Sequence, residues 1–189
     1  ALRRVNGVTN AGLAAIKELP RLEVLSLIEM GISDQGLATL ASLEQLRSLD
    51  VRRCAGLTSD NLSRLIAMRQ LREVKLGGAT VDDAALKTVL AIPSLVSLTV
   101  EDATITANGL AGIAVGSLAD RLRAIALVRC YGVNDDALSV LRNLRHIESL
   151  SVRECPVTGE FLLGWDQIAP ADLPPLRARS WPPRCGGRS

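Results

Sequence analysis

The residues of this chain whose types could do chemistry are four cysteines, one histidine and two carboxylate pairs. The cysteines are Cys54, Cys130, Cys155 and Cys185, and the histidine is His146. No two cysteines form a C-x-x-C pair and no second histidine is available, so the donor set does not fit a zinc site. A thiolate nucleophile of the phosphatase kind needs an Arg to hold the anion six places on. Asp60, Asp136 and Phe161 stand there instead. No G-x-S-x-G, phosphate-binding loop, H-E-x-x-H or EF-hand loop is present. Asp82-Asp83 and Asp135-Asp136 fall where helices are expected to start, and attraction to the helix dipole accounts for them. These residues point to a protein that is not an enzyme and that uses no cofactor and no metal.

The charges able to bind something lie elsewhere, in a phrase that recurs along the chain. Each copy opens on an aliphatic residue: Leu22, Leu46, Leu71, Leu95, Leu122 and Ile147, at steps of 24, 25, 24, 27 and 25 by subtraction. Apolar residues follow three and five positions later, as in Leu49 and Val51 or Leu98 and Val100. Residues two apart share one face of a strand. One short strand per copy, stacked in parallel at about 4.8 Å, makes a curved sheet. Eight positions after each start comes Met30, Cys54, Ala79, Ala103, Cys130 or Cys155, a small or soft side chain expected to point inward where coils touch. Asn6 takes that place in the first copy. A turn follows, and then a residue that can cap a helix: Thr9, Ser33, Thr58, Asp82, Thr106, Asn134 and Thr158. Apolar residues then recur three apart, as in Leu62, Leu65 and Met68, which suits a short helix with one buried face. The extra residues of the copy that starts at Leu95 fall near Val115-Gly116-Ser117 and are expected to form a bulged outer loop.

A repeat of this period is the signature of a solenoid. The phrase L-x-x-L-x-L-x-x-C, followed by an aliphatic residue, a capping residue and a further Leu, resembles the leucine-rich repeat family, closest to its cysteine-containing subclass. The resemblance covers about Leu2–Trp165. It implies an α/β solenoid of about seven repeats, with a curved parallel sheet on the concave side and short helices on the convex side. One departure is that no second Cys precedes the strands, that place being held by Leu43, Met68, Ile92, Ala119 and Leu144. The family is one of binding scaffolds. The function it implies is a non-catalytic protein–protein interaction module that takes a protein partner on its concave face. Two alternatives are a structural subunit of a larger assembly and the substrate-recognition part of an F-box-type ubiquitin ligase receptor, although no F-box-like segment occurs here.

On that architecture the outward strand positions are mostly small, and the charged ones concentrate in the middle. Arg47, Asp50, Arg52, Arg53, Arg72 and Lys75 form the centre of the expected protein-binding surface. Glu73, Glu101, Arg129 and Arg153 extend it. The plainer reading of these charges is pairing between strands, Glu29 with Arg53 or Asp50 with Lys75, at roughly 0.2–1 kcal/mol each.

Composition sets the remaining bounds. The 189 residues are 48% hydrophobic but only 2% aromatic, so the core must be aliphatic. With 22 Lys and Arg against 20 Asp and Glu, the formal net charge of +2 gives no case for nucleic acid as a partner. No apolar run is long enough for a membrane span. The expected organisation is a leucine-rich repeat domain over 1–169, its last repeat a cap with Phe161 and Trp165, and a Pro/Arg-rich irregular tail over 170–189 that includes Trp181. The cysteine spacing favours a reducing, intracellular and cytoplasmic setting. Because the chain opens inside a repeat, a preceding segment is expected.

Overall fold

The structure, a computed structural model, describes residues 2–3, 10–19, 21–32, 34–54, 57–114 and 116–163. The expected tail, the boundary before it, Trp165, Trp181, Asn6, Thr9 and Ser33 lie outside these residues.

Each copy of the phrase supplies one strand. They are β1 (Leu2–Arg3), β2 (Val24–Ile28), β3 (Ser48–Asp50), β4 (Glu73–Gly77), β5 (Ser97–Glu101), β6 (Ala124–Val128) and β7 (Ser149–Arg153). They form one sheet in chain order, every pair parallel. Equivalent positions of neighbouring copies face one another: Leu49 pairs with Val74, Val74 with Leu98 and Leu98 with Ile125. The second and third apolar residues of each copy point inward together. Leu27, Leu49, Val51, Val74, Leu76, Val100 and Leu127 are fully buried. Burying one such side chain contributes about 1.5–3 kcal/mol.

The opposite wall comes from the helical half of each copy. α2 (Asp34–Ala41) and α4 (Asp83–Leu90) are regular α-helices. α1 (Asn10–Ala14), α3 (Ser59–Leu62), α5 (Ala107–Leu110) and α7 (Asp135–Leu138) each run into a 3-10 turn. Between the third and fourth copies the spacing of the apolar residues matches the difference. α4 buries Leu86, Val89 and also Leu90, the three-then-four pattern of an α-helix face. Leu62, Leu65 and Met68 are buried at a strict period of three, whereas Ile66 is exposed. A period of three is that of the 3-10 helix. Of the expected bulge, Val115 lies outside the described residues, and the chain after it turns into a helix. Gly116, at φ +65°, opens a further helix, α6 (Ser117–Arg121), which buries Leu118.

Four of the expected caps accept a backbone N–H: Thr58 from Asn61, Asp82 from Ala85, Thr106 from Asn108 and Asn134 from Ala137. Thr158 does not cap. Left-handed Gly159 precedes the 3-10 turn Glu160–Leu162, and the Thr158 hydroxyl instead donates to Asp135 at 3.1 Å.

The inward column behaves as expected at five of its six described positions. Met30, Cys54, Ala103 and Cys130 are buried, and Cys155 is half-buried. Each thiol donates to a carbonyl of the preceding copy: Cys54 to Leu27, Cys130 to Val100 and Cys155 to Leu127. Ala79 is the exception. Val81 N–H closes a turn onto Gly78 at 3.0 Å and leaves Ala79 exposed.

Candidate protein-interaction face

The outward residues of the strands form the concave surface. Along β5, Ser97, Thr99 and Glu101 alternate with buried Leu98 and Val100. Their neighbours on β6 and β7 are Ala124, Ala126, Ser149 and Ser151, so this half of the face is a strip of short side chains.

At the strand ends the surface becomes an ion-pair network. Asp50 is buried, and its carboxylate accepts both Nε and Nη2 of Arg52 at 2.9 and 2.8 Å. The other end of the same guanidinium reaches Glu101 at 2.6 Å. Arg53 holds Glu29 at 3.2 Å, Glu101 at 3.0 Å and Asp102 at 3.0 Å. Arg129 closes the group on Glu101 and Asp102 and lies 3.7 Å from Glu154. Arg129 and then Arg53 hold the Asp102 carboxyl below the ordinary carboxylate range against the upward push of burial. Hydrogen bonding to Asp50 above all holds Arg52 more firmly protonated than a free Arg.

Arg52 and Arg53 belong to the third copy, Glu101 and Asp102 to the fifth. The copy between them has Gly77-Gly78 in register, and no side chain stands in the way. A Cβ on Gly77 would come within 2.1 Å of the Glu101 carbonyl oxygen, and Gly78 sits at φ +122°. Gly78 belongs to a column of left-handed residues, one in each of the six copies described at that position. The others are Glu29, Arg53, Asp102, Arg129 and Glu154, with φ from 53° to 59°. A non-glycine residue held there costs of order 1–3 kcal/mol. Glycine would avoid that cost, yet five of the six positions carry a charge of the network.

Two smaller groups complete the face. Lys75 pairs with Glu73 at 3.0 Å, and the Ser48 hydroxyl donates to the same carboxylate. Burial pushes the Glu73 carboxyl up, but Ser48 and Lys75 outweigh it and hold it low. At the opposite edge, where the chain enters each strand, Glu23, Arg47, Arg72, Val96, Arg123 and Glu148 occupy successive rungs. From Arg47 on, each backbone N–H donates to the carbonyl of the rung before it at 2.7–2.8 Å. Arg47 lies 3.9 Å from Glu23 and Arg123 3.6 Å from Glu148. Arg72 makes no ion pair with a described residue.

No protein-family profile matches this chain, and no curated protein does. Among solved structures, a chain of the crystal structure of the Rad7 and Elc1 complex in yeast superposes with a TM-score of 0.70 at 22% identity, over 89% of this chain. The present chain spans 45% of that chain's length. The fold is that of a leucine-rich repeat solenoid. A second similar structure, an internalin from Listeria monocytogenes, has a TM-score of 0.42 at 18% identity, covering 82% of this chain and 55% of that one.

Of the residues read from the sequence as a binding surface, the solenoid brings Asp50, Arg52, Arg53, Glu101 and Arg129 into one network. Glu73 and Lys75 form a separate pair. Arg47 and Arg72 lie on the entry edge. Arg153, at the far end of β7, is exposed and joins none of these groups among the described residues. The expected Glu29–Arg53 pair is present. Asp50 does not pair with Lys75, because Arg52, two residues along its own chain, takes both carboxylate oxygens. Asp102, Glu29, Glu154 and Arg123 were not among the expected site residues. Their signal was positional: the first three share the column of Arg53 and Arg129, and Arg123 shares that of Arg47 and Arg72. Among the described residues no group of three or more His, Cys, Asp or Glu could hold a metal ion, and no helix is long and apolar enough to cross a membrane.

Proposed function

We propose that this leucine-rich repeat solenoid is a non-catalytic protein-interaction module whose concave face receives the partner. The observation that carries the reading is the strip of small outward residues, Ser97, Thr99, Ala124, Ala126, Ser149 and Ser151, running across three rigid strands. Short side chains let a partner's backbone or helix approach the sheet closely. The ion-pair network along one border and the arginines along the other supply orientation, since charges at an interface fix register more than they add affinity. A chain of similar fold comes from a structure of two proteins in complex, Rad7 with Elc1, which supports a role as a platform for other proteins.

Replacing Thr99 by Arg fills the strip without touching the core. Cross-linking and affinity purification from the native cell are expected to recover a protein partner with the natural chain. With Thr99→Arg, recovery should fall by at least about tenfold, a change of 1.4 kcal/mol, at an unchanged thermal midpoint. Full recovery with Thr99→Arg would place the partner elsewhere on the molecule.

A further inference from the structure

The entry edge carries a second, more specific feature. Its carboxylates lie towards the two ends: Glu23 and Glu44 on one side, Asp120 and Glu148 on the other. The two central loops, 68–72 and 92–96, hold none. Into that interval project Arg69 and Arg72, both exposed and neither in an ion pair with a described residue. Arg47 and Arg123 flank them on the same ladder of rungs: Arg47 lies 3.9 Å from Glu23, and Arg123 lies 3.6 Å from Glu148 while its Nη1 donates to the carbonyls of Asp120 at 2.8 Å and His146 at 3.4 Å. The inner face of the edge is lined by Ser48, Glu73, Ser97 and Ala124, and beyond Glu73 it passes into the concave strip over short side chains. Glu73, the one carboxylate close to Arg72 on that face, is already held by Lys75 and Ser48.

We propose that this edge binds a short acidic segment of a protein partner, laid across the strands with carboxylates at alternate positions. The proposal rests on the interaction-module reading and gives the partner its chemistry. Arg47 and Arg123 stand three rungs apart, about 14 Å at the inter-strand spacing. An extended peptide covers that distance in about four residues at 3.3 Å each. Acidic residues at alternate positions, about 6.6 Å apart, fall within side-chain reach of Arg47 and Arg72, one rung or about 4.8 Å apart, and of Arg123 two rungs farther on. The guanidinium fork takes a carboxylate through two parallel hydrogen bonds, a match an ammonium cannot make. Glu23 and Glu148 bracket the ladder with negative charge and limit the length of anion it accepts. The described part of the edge offers no aromatic ring for base stacking. Both features favour a short acidic peptide over a nucleic acid strand.

The test uses a fluorescein-labelled peptide with Glu at alternate positions, read by anisotropy on the full chain. Binding that weakens as salt rises is expected. Arg72→Glu should weaken it by at least about tenfold, equivalent to 1.4 kcal/mol. Lys87→Glu makes the same change in net charge on the convex helix α4 and should leave binding within about twofold, under 0.5 kcal/mol. Equal losses in the two variants would reduce the effect to net charge and overturn the proposal. So would an absence of binding, or a single-stranded oligonucleotide that binds more tightly than the peptide and is lost with Arg72→Glu. The two readings fail separately. A partner still recovered by cross-linking with Arg72→Glu, but lost with Thr99→Arg, removes the acidic-segment proposal and leaves the concave-face module standing.

Discussion

At the scale of single residues, the three described thiols occupy one position of the repeat and yet differ in reactivity. Burial pushes Cys54 up to about 11, and it stays a thiol at neutral pH. Cys155 sits in the last described copy, half-buried, and the neighbouring Cys130 thiol lowers it. The same contact pushes Cys130 up. Since the thiolate is the nucleophile, iodoacetamide at pH 7.5 is expected to alkylate Cys155 ahead of Cys54 and Cys130, which stay protected until the chain unfolds. Peptide mapping over time checks this, and simultaneous labelling of Cys54 and Cys155 would contradict it. The shared inward position was legible from the sequence, because Met, Cys and Ala recur at one offset. The difference between the cysteines was not, because it depends on which thiol neighbours which. The left-handed column was hidden for a related reason. Glycine announces a positive φ, and here five charged residues adopt it. Their side chains are used in the network, so the residue type reported the charge and concealed the backbone.

At the scale of elements, adjacent copies are joined by a carboxylate that the sequence placed correctly and explained only in part. Asp83 and Asp135 each follow a cap, where the helix dipole welcomes negative charge. Both also reach the next copy. Asp83 accepts the backbone N–H of Thr106 at 2.7 Å and its hydroxyl at 2.6 Å. Asp135 accepts N–H groups from Thr158, Gly159 and Phe161 at 2.7, 2.9 and 3.2 Å. Gly109 makes room for the first of these, since a Cβ there would meet the Asp83 carboxylate at 2.4 Å. The Thr158 N–H leads the groups that hold Asp135 below the ordinary carboxyl range. A lowered folded value contributes stability that is fully present above the unfolded value, about 4, and is lost as pH falls through the folded one. Asp102 and Glu73 act in the same direction. The thermal midpoint is therefore expected to stay level from neutral pH to about 5 and to fall below about 4. Asp135→Asn should lower the level part and make the acid limb shallower, as scanning calorimetry across pH can measure. An acid limb as steep as that of the natural chain would remove Asp135 from this account. The 3-10 turns were likewise half legible. The period of three was visible in Leu62, Leu65 and Met68, but α2 shares it in Leu37, Leu40 and Leu43, so that spacing alone does not separate the α-helical copies from the others.

At the scale of the whole molecule, the period of the apolar residues was enough to give a seven-stranded parallel sheet with the strands in chain order. It could not give the reach of the ion pairs, which depends on what a neighbouring copy lacks. In most stacked arrays each unit interacts only with the next. Here Arg52 and Arg53 pass over Gly77-Gly78 and tie the third copy directly to the fifth. Gly77→Ala forces the Glu101 backbone aside and should cost about 1–3 kcal/mol. It should also divide the middle of the array: hydrogen exchange is expected to show the third to fifth copies opening together in the natural chain and separately in Gly77→Ala. Unchanged joint opening would mean that the core alone couples them. The same glycine pair bears on how such a protein can change over generations. Repeat proteins lengthen and shorten by copying or dropping whole units, and most junctions tolerate this because one unit resembles another. A unit added between Arg52 and Glu101 would move them a further rung apart, about 4.8 Å, and a unit removed would crowd them together. The number of copies can drift towards the ends of this array, whereas at its centre the count is fixed.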